Sequence, residues 1–138
     1  MYQAPQAPKL AELSWSGTPS GQTFTYSMAV EQQTSSFLSV SSNTNISLGR
    51  GHYYAIAYID FTRVSASVNN EIYWHLDGAQ IGMRGGSDHF DSESTDNPEA
   101  SFTVLSSSAT LTLRQTDWSG FAISLTSHCR AFIWKVDV

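Results

Sequence analysis

From His52 to Arg63 the sequence offers an extended chain two apolar faces. Successive side chains of a strand point to opposite sides. One side of this run carries Tyr53, Ala55, Ala57, Ile59 and Phe61, and the other His52, Tyr54, Ile56 and Tyr58. A strand that is apolar on both sides has to be covered on both sides. In a two-layer sandwich the subunit's own core covers only one. The second cover is then a loop of the same chain or another copy of the chain. Ile72 with Trp74, and Tyr73 with His75, repeat the theme in the next strand. Tyr and Trp are favoured in the cores of interfaces. The expectation is self-association through Tyr54, Ile56, Tyr58, Tyr73 and His75.

The rest of the chain alternates more simply. Leu111 and Leu113 oppose Thr110, Thr112 and Arg114, and Phe121, Ile123 and Leu125 oppose Ala122, Ser124 and Thr126. Phe132, Trp134 and Val136 oppose Ile133, Lys135 and Asp137. Such strands are half-buried, with one face in a core and one in water. Short apolar runs with turn residues between them predict strands from Leu10 to Val136. The breaks are read at 16–21, 49–51, 68–70, 77–78, 85–98 and 117–120. No segment keeps a helical period over the length a helix needs. Asp77-Gly78 lies between Tyr73-Trp74-His75-Leu76 and Ala79-Gln80-Ile81. That dipeptide accepts positive φ at both centres, as a type I′ hairpin requires. The reading is one all-β domain, a two-sheet sandwich over residues 10–138.

Residues 1–9 differ in kind. Pro5 and Pro8, with Ala and Gln between them, favour an extended arm without hydrogen-bonded structure of its own. Such an arm is either a loose terminus or an anchor on a neighbour. Tyr2, Pro5 and Pro8 are its candidate anchoring residues.

Charge narrows the partners. The formal net charge is −5, and the 7 Lys and Arg residues are spread singly. Nucleic-acid binding by phosphate neutralisation needs a basic patch, and none is present. No stretch is apolar enough to span a bilayer as a helix. No apolar signal core precedes Lys9, so either synthesis in a cytoplasm or prior removal of an export signal is expected. Cys129 is the one cysteine, so an internal disulfide is excluded and a small buried apolar role is expected.

Three stretches resemble a known family. Gly51-His52-Tyr53-Tyr54-Ala55-Ile56 resembles the strand entrance of the tumour-necrosis-factor-like jelly rolls, which include the globular heads of complement collagens. Ile72-Tyr73-Trp74-His75-Leu76-Asp77-Gly78-Ala79-Gln80-Ile81-Gly82 resembles the hairpin that follows. Cys129-Arg130-Ala131-Phe132-Ile133-Trp134-Lys135-Val136 is similar to the last strand of phage versions of the fold. The resemblance covers residues 48–138. It implies a jelly roll, a homotrimer and a non-catalytic role. In phages it implies a virion structural protein, either a capsid decoration trimer or the receptor-binding tip of a tail fibre. The sequence has no collagen-like Gly repeat and no heptad shaft. A short chain with an extended arm suits decoration better, with the major capsid protein as partner and the capsid surface as location. A carbohydrate-binding module that meets a host surface glycan is the further alternative.

No catalytic constellation stands out. There is no Gly-x-Ser-x-Gly elbow. His52, His75, His89 and His128 fall in different elements, and neither a base nor a zinc motif marks them. His128 and Cys129 are strand neighbours, so they point to opposite faces and cannot act as base and nucleophile. Asp88, Asp91, Glu93, Asp96 and Glu99 make 85–99 the most acidic stretch. Oxygen ligands at that density suit Ca²⁺, yet their spacing is not that of an EF-hand loop, and a solvated loop is the simpler reading. Neither a metal nor a cofactor is expected. Asp88, Phe90 and Asp91 are the candidate receptor-facing residues of that loop. Trp118, read in a turn, is the candidate to stack on a sugar ring or to fold back over the sandwich end.

Overall fold

The computed structural model describes residues 8–15, 24–63, 68–85, 88–89, 93–119, 123–125 and 129–136. Every regular element among them is a strand. In chain order these are β1 (Lys9–Trp15), β2 (Phe24–Thr25), β3 (Met28–Gln33), β4 (Leu38–Ser41), β5 (Asn45–Leu48), β6 (Gly51–Arg63) and β7 (Val68–Leu76). There follow β8 (Ala79–Ile81), β9 (Asp88–His89), β10 (Glu93–Asp96), β11 (Glu99–Val104), β12 (Ala109–Ser119), β13 (Ile123–Leu125) and β14 (Arg130–Val136).

They form two antiparallel sheets. The first runs β10-β6-β14-β1-β3, with β11 and β13 also paired to β6. The second runs β4-β5-β12-β7-β8, with β2 on β12 and β9 on β7. Consecutive strands repeatedly change sheet, as they must when a chain is wound into a jelly roll. The expected all-β sandwich is what forms. β6 is its axis: β14 and β11 flank its first half, and β13 and β10 flank its second.

Ala11, Leu13, Tyr53, Ala55, Ala57, Ile59, Ala131 and Ile133 face inward from the first sheet, all buried. Ile46, Leu48, Ile72, Trp74, Leu111 and Leu113 meet them from the second. The small residues Ala11, Ala55, Ala57 and Ala131 sit on neighbouring central strands, which leaves room for the fully buried Trp74 opposite. Burial of this kind supplies most of the stabilisation, at about 25 cal/mol per Å² of apolar surface. Cys129 is buried as expected, and its thiol donates to the Asp60 carbonyl at 3.1 Å. Tyr26 is buried too. Burial first, then the Asp96 carboxylate and the Cys129 thiol, push its hydroxyl pKa above the usual tyrosine range.

The Asp77-Gly78 turn forms as its chemistry requires. Asp77 has φ 49° and Gly78 φ 85°, and Leu76 pairs with Ala79 across the loop. The turn is also tied to β12. The Asp77 amide donates to the Thr110 carbonyl, and the Thr110 amide donates to the Asp77 carboxylate, both at 2.8 Å.

Two expected breaks are strands instead. Residues 68–70 and 117–119, rich in Asn, Asp and Ser, pair with each other: Glu71 with Asp117, Asn70 with Trp118, and Asn69 with Ser119. A register shift between Gln115 and Asp117 lets β12 continue past its apolar part. The acidic stretch is not one open loop either. Asp88 pairs with Asn69, and Glu93–Asp96 pairs with Thr62–Ile59. Polar side chains weaken a strand pattern in the sequence, but the backbone groups of each segment still find partners in the other.

Candidate self-association face

Alternation along β6 sends Tyr53, Ala55, Ala57 and Ile59 into the core, so Tyr54, Ile56 and Tyr58 stand on the outer face of the first sheet. The register brings β14 beside them. Trp134 lies opposite Tyr54, Phe132 opposite Ile56, and Arg130 opposite Tyr58. On the next strand Leu10 lies opposite Trp134, and Glu12 opposite Phe132. The result is a continuous aromatic surface. Ring centroids are 5.6 Å apart for Tyr54 and Trp134, 5.9 Å for Tyr58 and Phe132, and 6.0 Å for Phe132 and Trp134. Tyr58 is 41% exposed, and Tyr54, Ile56, Phe132 and Trp134 are half-buried.

Polar groups frame this surface. The Tyr54 hydroxyl donates to a Glu99 carboxylate oxygen at 2.6 Å. That hydrogen bond, then burial, then the charges of Glu99 and Tyr58, push the Tyr54 pKa up to about 12. The His52 Nδ1 lies 2.7 Å from the Thr103 hydroxyl. At the other end Arg130 pairs with Glu12 at 3.4 Å, and the Gln32 amide donates to the same carboxylate at 2.7 Å. The Ser14 hydroxyl donates to Glu31. An apolar centre with a polar rim is the anatomy of a protein interface.

The structure divides the expected interface set. Tyr54, Ile56 and Tyr58 stand together, but Tyr73 and His75 lie on the outer face of the second sheet, across the sandwich. Their neighbours Ile72 and Trp74 fill the core, so alternation turns Tyr73 and His75 away from β6. His75 is 6% exposed. Its Nδ1 donates to the Tyr73 carbonyl at 3.1 Å, and burial, opposed by that bond and helped by Arg114, lowers its pKa.

Phe132 and Trp134 escape a reading of the sequence alone, which makes β14 half-buried with one face in water. In fact Ala131 and Ile133 take the core and the two aromatics face outward beside β6. The signal is present: β14, like β6, is apolar on both faces. Glu99 escapes it too, because in sequence it belongs to the acidic stretch. It is the first residue of β11 and registers opposite Ile56.

The other candidates do not converge. Asp88 lies in β9, and Phe90 and Asp91 lie outside the described residues. Trp118 is in β12, paired with Asn70, and not in a turn. Pro8 is exposed, while Tyr2 and Pro5 lie outside the described residues. Among the described residues no three His, Cys, Asp or Glu side chains gather to hold a metal ion.

No protein-family model matches the chain, and no curated protein matches it. Solved structures do. Murine APRIL at pH 8.0 is similar over 94% of this chain and 100% of its own, with 11% identity and a TM-score of 0.60. Eiger TNF from S. frugiperda is similar over 96% of each chain, with 13% identity and a TM-score of 0.57. The globular domain of the zebrafish complement 1qA protein covers 95% of this chain and 97% of its own, with 11% identity and a TM-score of 0.54. Together with the strand order, these likenesses establish that the chain has a tumour-necrosis-factor-like jelly-roll fold.

Proposed function

We propose that this chain is a non-enzymatic structural module that assembles into a homotrimer through the outer face of its first sheet. The observation that carries the reading is the row Tyr54, Ile56, Tyr58, Phe132 and Trp134, side by side on β6 and β14, its rings in contact and none of its members fully buried. A contiguous aromatic patch of this kind marks an interaction site. Copies of the chain are a chemically suitable cover, because a closed ring lets every subunit bury the same patch. The fold resemblance implies the trimer in particular.

Within that frame the role proposed is a bacteriophage virion protein that decorates the capsid. The similarity of Phe132-Ile133-Trp134-Lys135 to the closing strand of phage jelly rolls supports it, as does the Pro-containing segment 1–9. The trimer would sit on the major capsid protein at the virion surface, with Tyr2, Pro5 and Pro8 reaching a neighbour. Three linked arms turn weak single contacts into avidity.

Mass photometry of the pure protein tests the assembly. A mass of three chains is expected, and a monomer at micromolar concentration would remove the trimer. Deleting residues 1–8 is expected to abolish capsid binding and to leave the trimer intact. Adsorption of the isolated trimer to host cells would favour a fibre tip instead. Glycan binding with no capsid affinity would favour a carbohydrate-binding module.

A further inference from the structure

We propose that the outer face of the second sheet carries a binding site for an acidic sugar, with Arg114 as the group that takes the carboxylate. The site lies across the sandwich from the aromatic row and does not depend on assembly. Arg114 and Tyr73 are directly opposite each other on β12 and β7, and Thr112 and His75 form the next outward pair. Gln80 of β8 lies beside His75. Opposite residues of an antiparallel pair share one face, with Cβ atoms about 5 Å apart.

Arg114 is held in place but not neutralised. Its Nε donates to the Thr112 hydroxyl at 3.0 Å, so the side chain is tied toward the Thr112–His75 pair. The amino groups of the guanidinium remain for a further acceptor, and among the described residues no carboxylate takes them. Glu71, two residues before Tyr73, is paired with Arg84 at 3.5 Å. Asp77, two residues beyond His75, accepts from the Thr110 amide. In a chain where 12 acidic residues outnumber 7 basic ones, acids to pair with Arg114 are not scarce, yet none of these does. A half-buried guanidinium with donors to spare favours an oxyanion, and its planar fork matches a carboxylate.

The surroundings select the rest of the ligand. Thr112 and His75 are 4% and 6% exposed although they stand on the outer face, so they form a closed floor. Tyr73 and Arg114 are half-buried and Gln80 is exposed, which leaves a phenol, a guanidinium and an amide at the rim. An aromatic plane with a few convergent polar groups suits a hydroxylated ring. A plain hydrocarbon carboxylate would leave the amide and the phenol hydroxyl without partners.

The test is an amide NMR titration of the full chain with digalacturonate, with neutral digalactose and with acetate. Saturable shifts centred on residues 73–75 and 112–114 are expected for digalacturonate, with digalactose and acetate each about tenfold weaker or more. Arg114→Gln removes the charge, and Arg114→Lys keeps the charge but not the fork. Both are expected to weaken digalacturonate about tenfold or more. Arg50→Gln makes the same change in net charge at an exposed arginine bound to the Leu105 carbonyl, and is expected to keep the wild-type affinity. Absence of saturable shifts, or shifts centred elsewhere, would overturn the site. So would a folded Arg114→Gln that binds as the wild type does. Digalactose binding as tightly as digalacturonate would remove the carboxylate, and acetate doing so would remove the sugar. These two comparisons use the wild type alone and decide the matter even if an Arg114 variant does not fold.

Discussion

The Trp74 indole N–H donates to the carbonyl of Pro98 at 3.0 Å, which joins the core of the second sheet to the strand junction of the first. The same carbonyl accepts from the Ala57 amide at 3.0 Å. Pro98 lies between β10 and β11, so one oxygen holds the junction of these two strands against β6. Trp74→Phe keeps an aromatic ring but removes the donor and part of the volume. The Ala57 bond remains, so the carbonyl is not orphaned. A loss of about 1–3 kcal/mol is expected, from the hydrogen bond and the residual cavity. Urea unfolding of the two proteins at neutral pH measures it, and an unchanged midpoint would contradict this role for the bond.

Glycine is required where the chain crosses from β8 toward the first sheet. At Gly82 φ is +73°, and an added Cβ would lie 2.2 Å from the Glu99 carbonyl oxygen. At Gly85 it would lie 2.2 Å from Pro98 Cδ and 2.3 Å from Pro98 N. Both obstacles are held by the backbone and cannot swing aside. Gly78 is also at positive φ, +85°, but nothing lies within 4 Å of its added Cβ. Gly78→Ala is expected to cost about 1 kcal/mol, for the backbone conformation alone. Gly82→Ala and Gly85→Ala are expected to cost more than that, with overpacking contributing about 1–3 kcal/mol. Thermal unfolding of the three variants ranks them, and Gly78→Ala emerging as the worst would contradict the packing account.

Residues with strong local chemistry announce themselves in the sequence. The Asp77-Gly78 turn is set by two consecutive positive φ values, a demand few dipeptides meet, and it forms where the sequence places it. The core face of β6 follows from period-two alternation and is correct from Tyr53 to Ile59. What could not be read is pairing. Asn69-Asn70 and Asp117-Trp118-Ser119 each look like a turn alone, and they become strands because they lie side by side. The expected interface residues are parted for the same reason. Tyr73 and Tyr54 carry the same residue type in similar apolar surroundings, and only the order of strands puts them on opposite sides of the molecule. Phe132 and Trp134 join Tyr54 and Ile56 through a register that no local pattern encodes.

His75 gives the fold an acid sensitivity of its own. Burial lowers its pKa below the ordinary 6.5, so the folded state keeps it neutral where the unfolded chain takes up a proton. The folded pKa is the lower one, so this site costs no stability above about pH 6.5 and lowers stability as the pH falls below it. His75→Gln keeps an N–H for the Tyr73 carbonyl and cannot titrate. Denaturant midpoints at about pH 7.5 and about pH 5.5 should therefore drop less for His75→Gln than for the wild type. Equal drops would mean that His75 is as easily protonated in the folded chain as in the unfolded one.

The separation of Tyr58 from Tyr73 provides the sharpest test of which face associates. Tyr58 is the most exposed member of the aromatic row and makes an edge contact with Phe132, 5.9 Å between centroids. Tyr73 is half-buried on the second sheet, opposite Arg114. Tyr58→Glu puts a charge at one end of the proposed contact, opposite Arg130, whose guanidinium already faces the Glu12 carboxylate, so covering the face desolvates an excess negative charge. It is expected to shift the assembly toward monomer, weakening association by about tenfold or more. Its unfolding midpoint should stay near that of the wild-type subunit, because the side chain reaches solvent in the single chain. Tyr73→Glu adds the same charge to the other sheet, next to Arg114, and is expected to leave the oligomer intact. Sedimentation of both variants at matched concentration reads the difference directly. If Tyr73→Glu dissociates the assembly while Tyr58→Glu does not, the contact lies on the second sheet and the aromatic row of β6 and β14 must have another occupant.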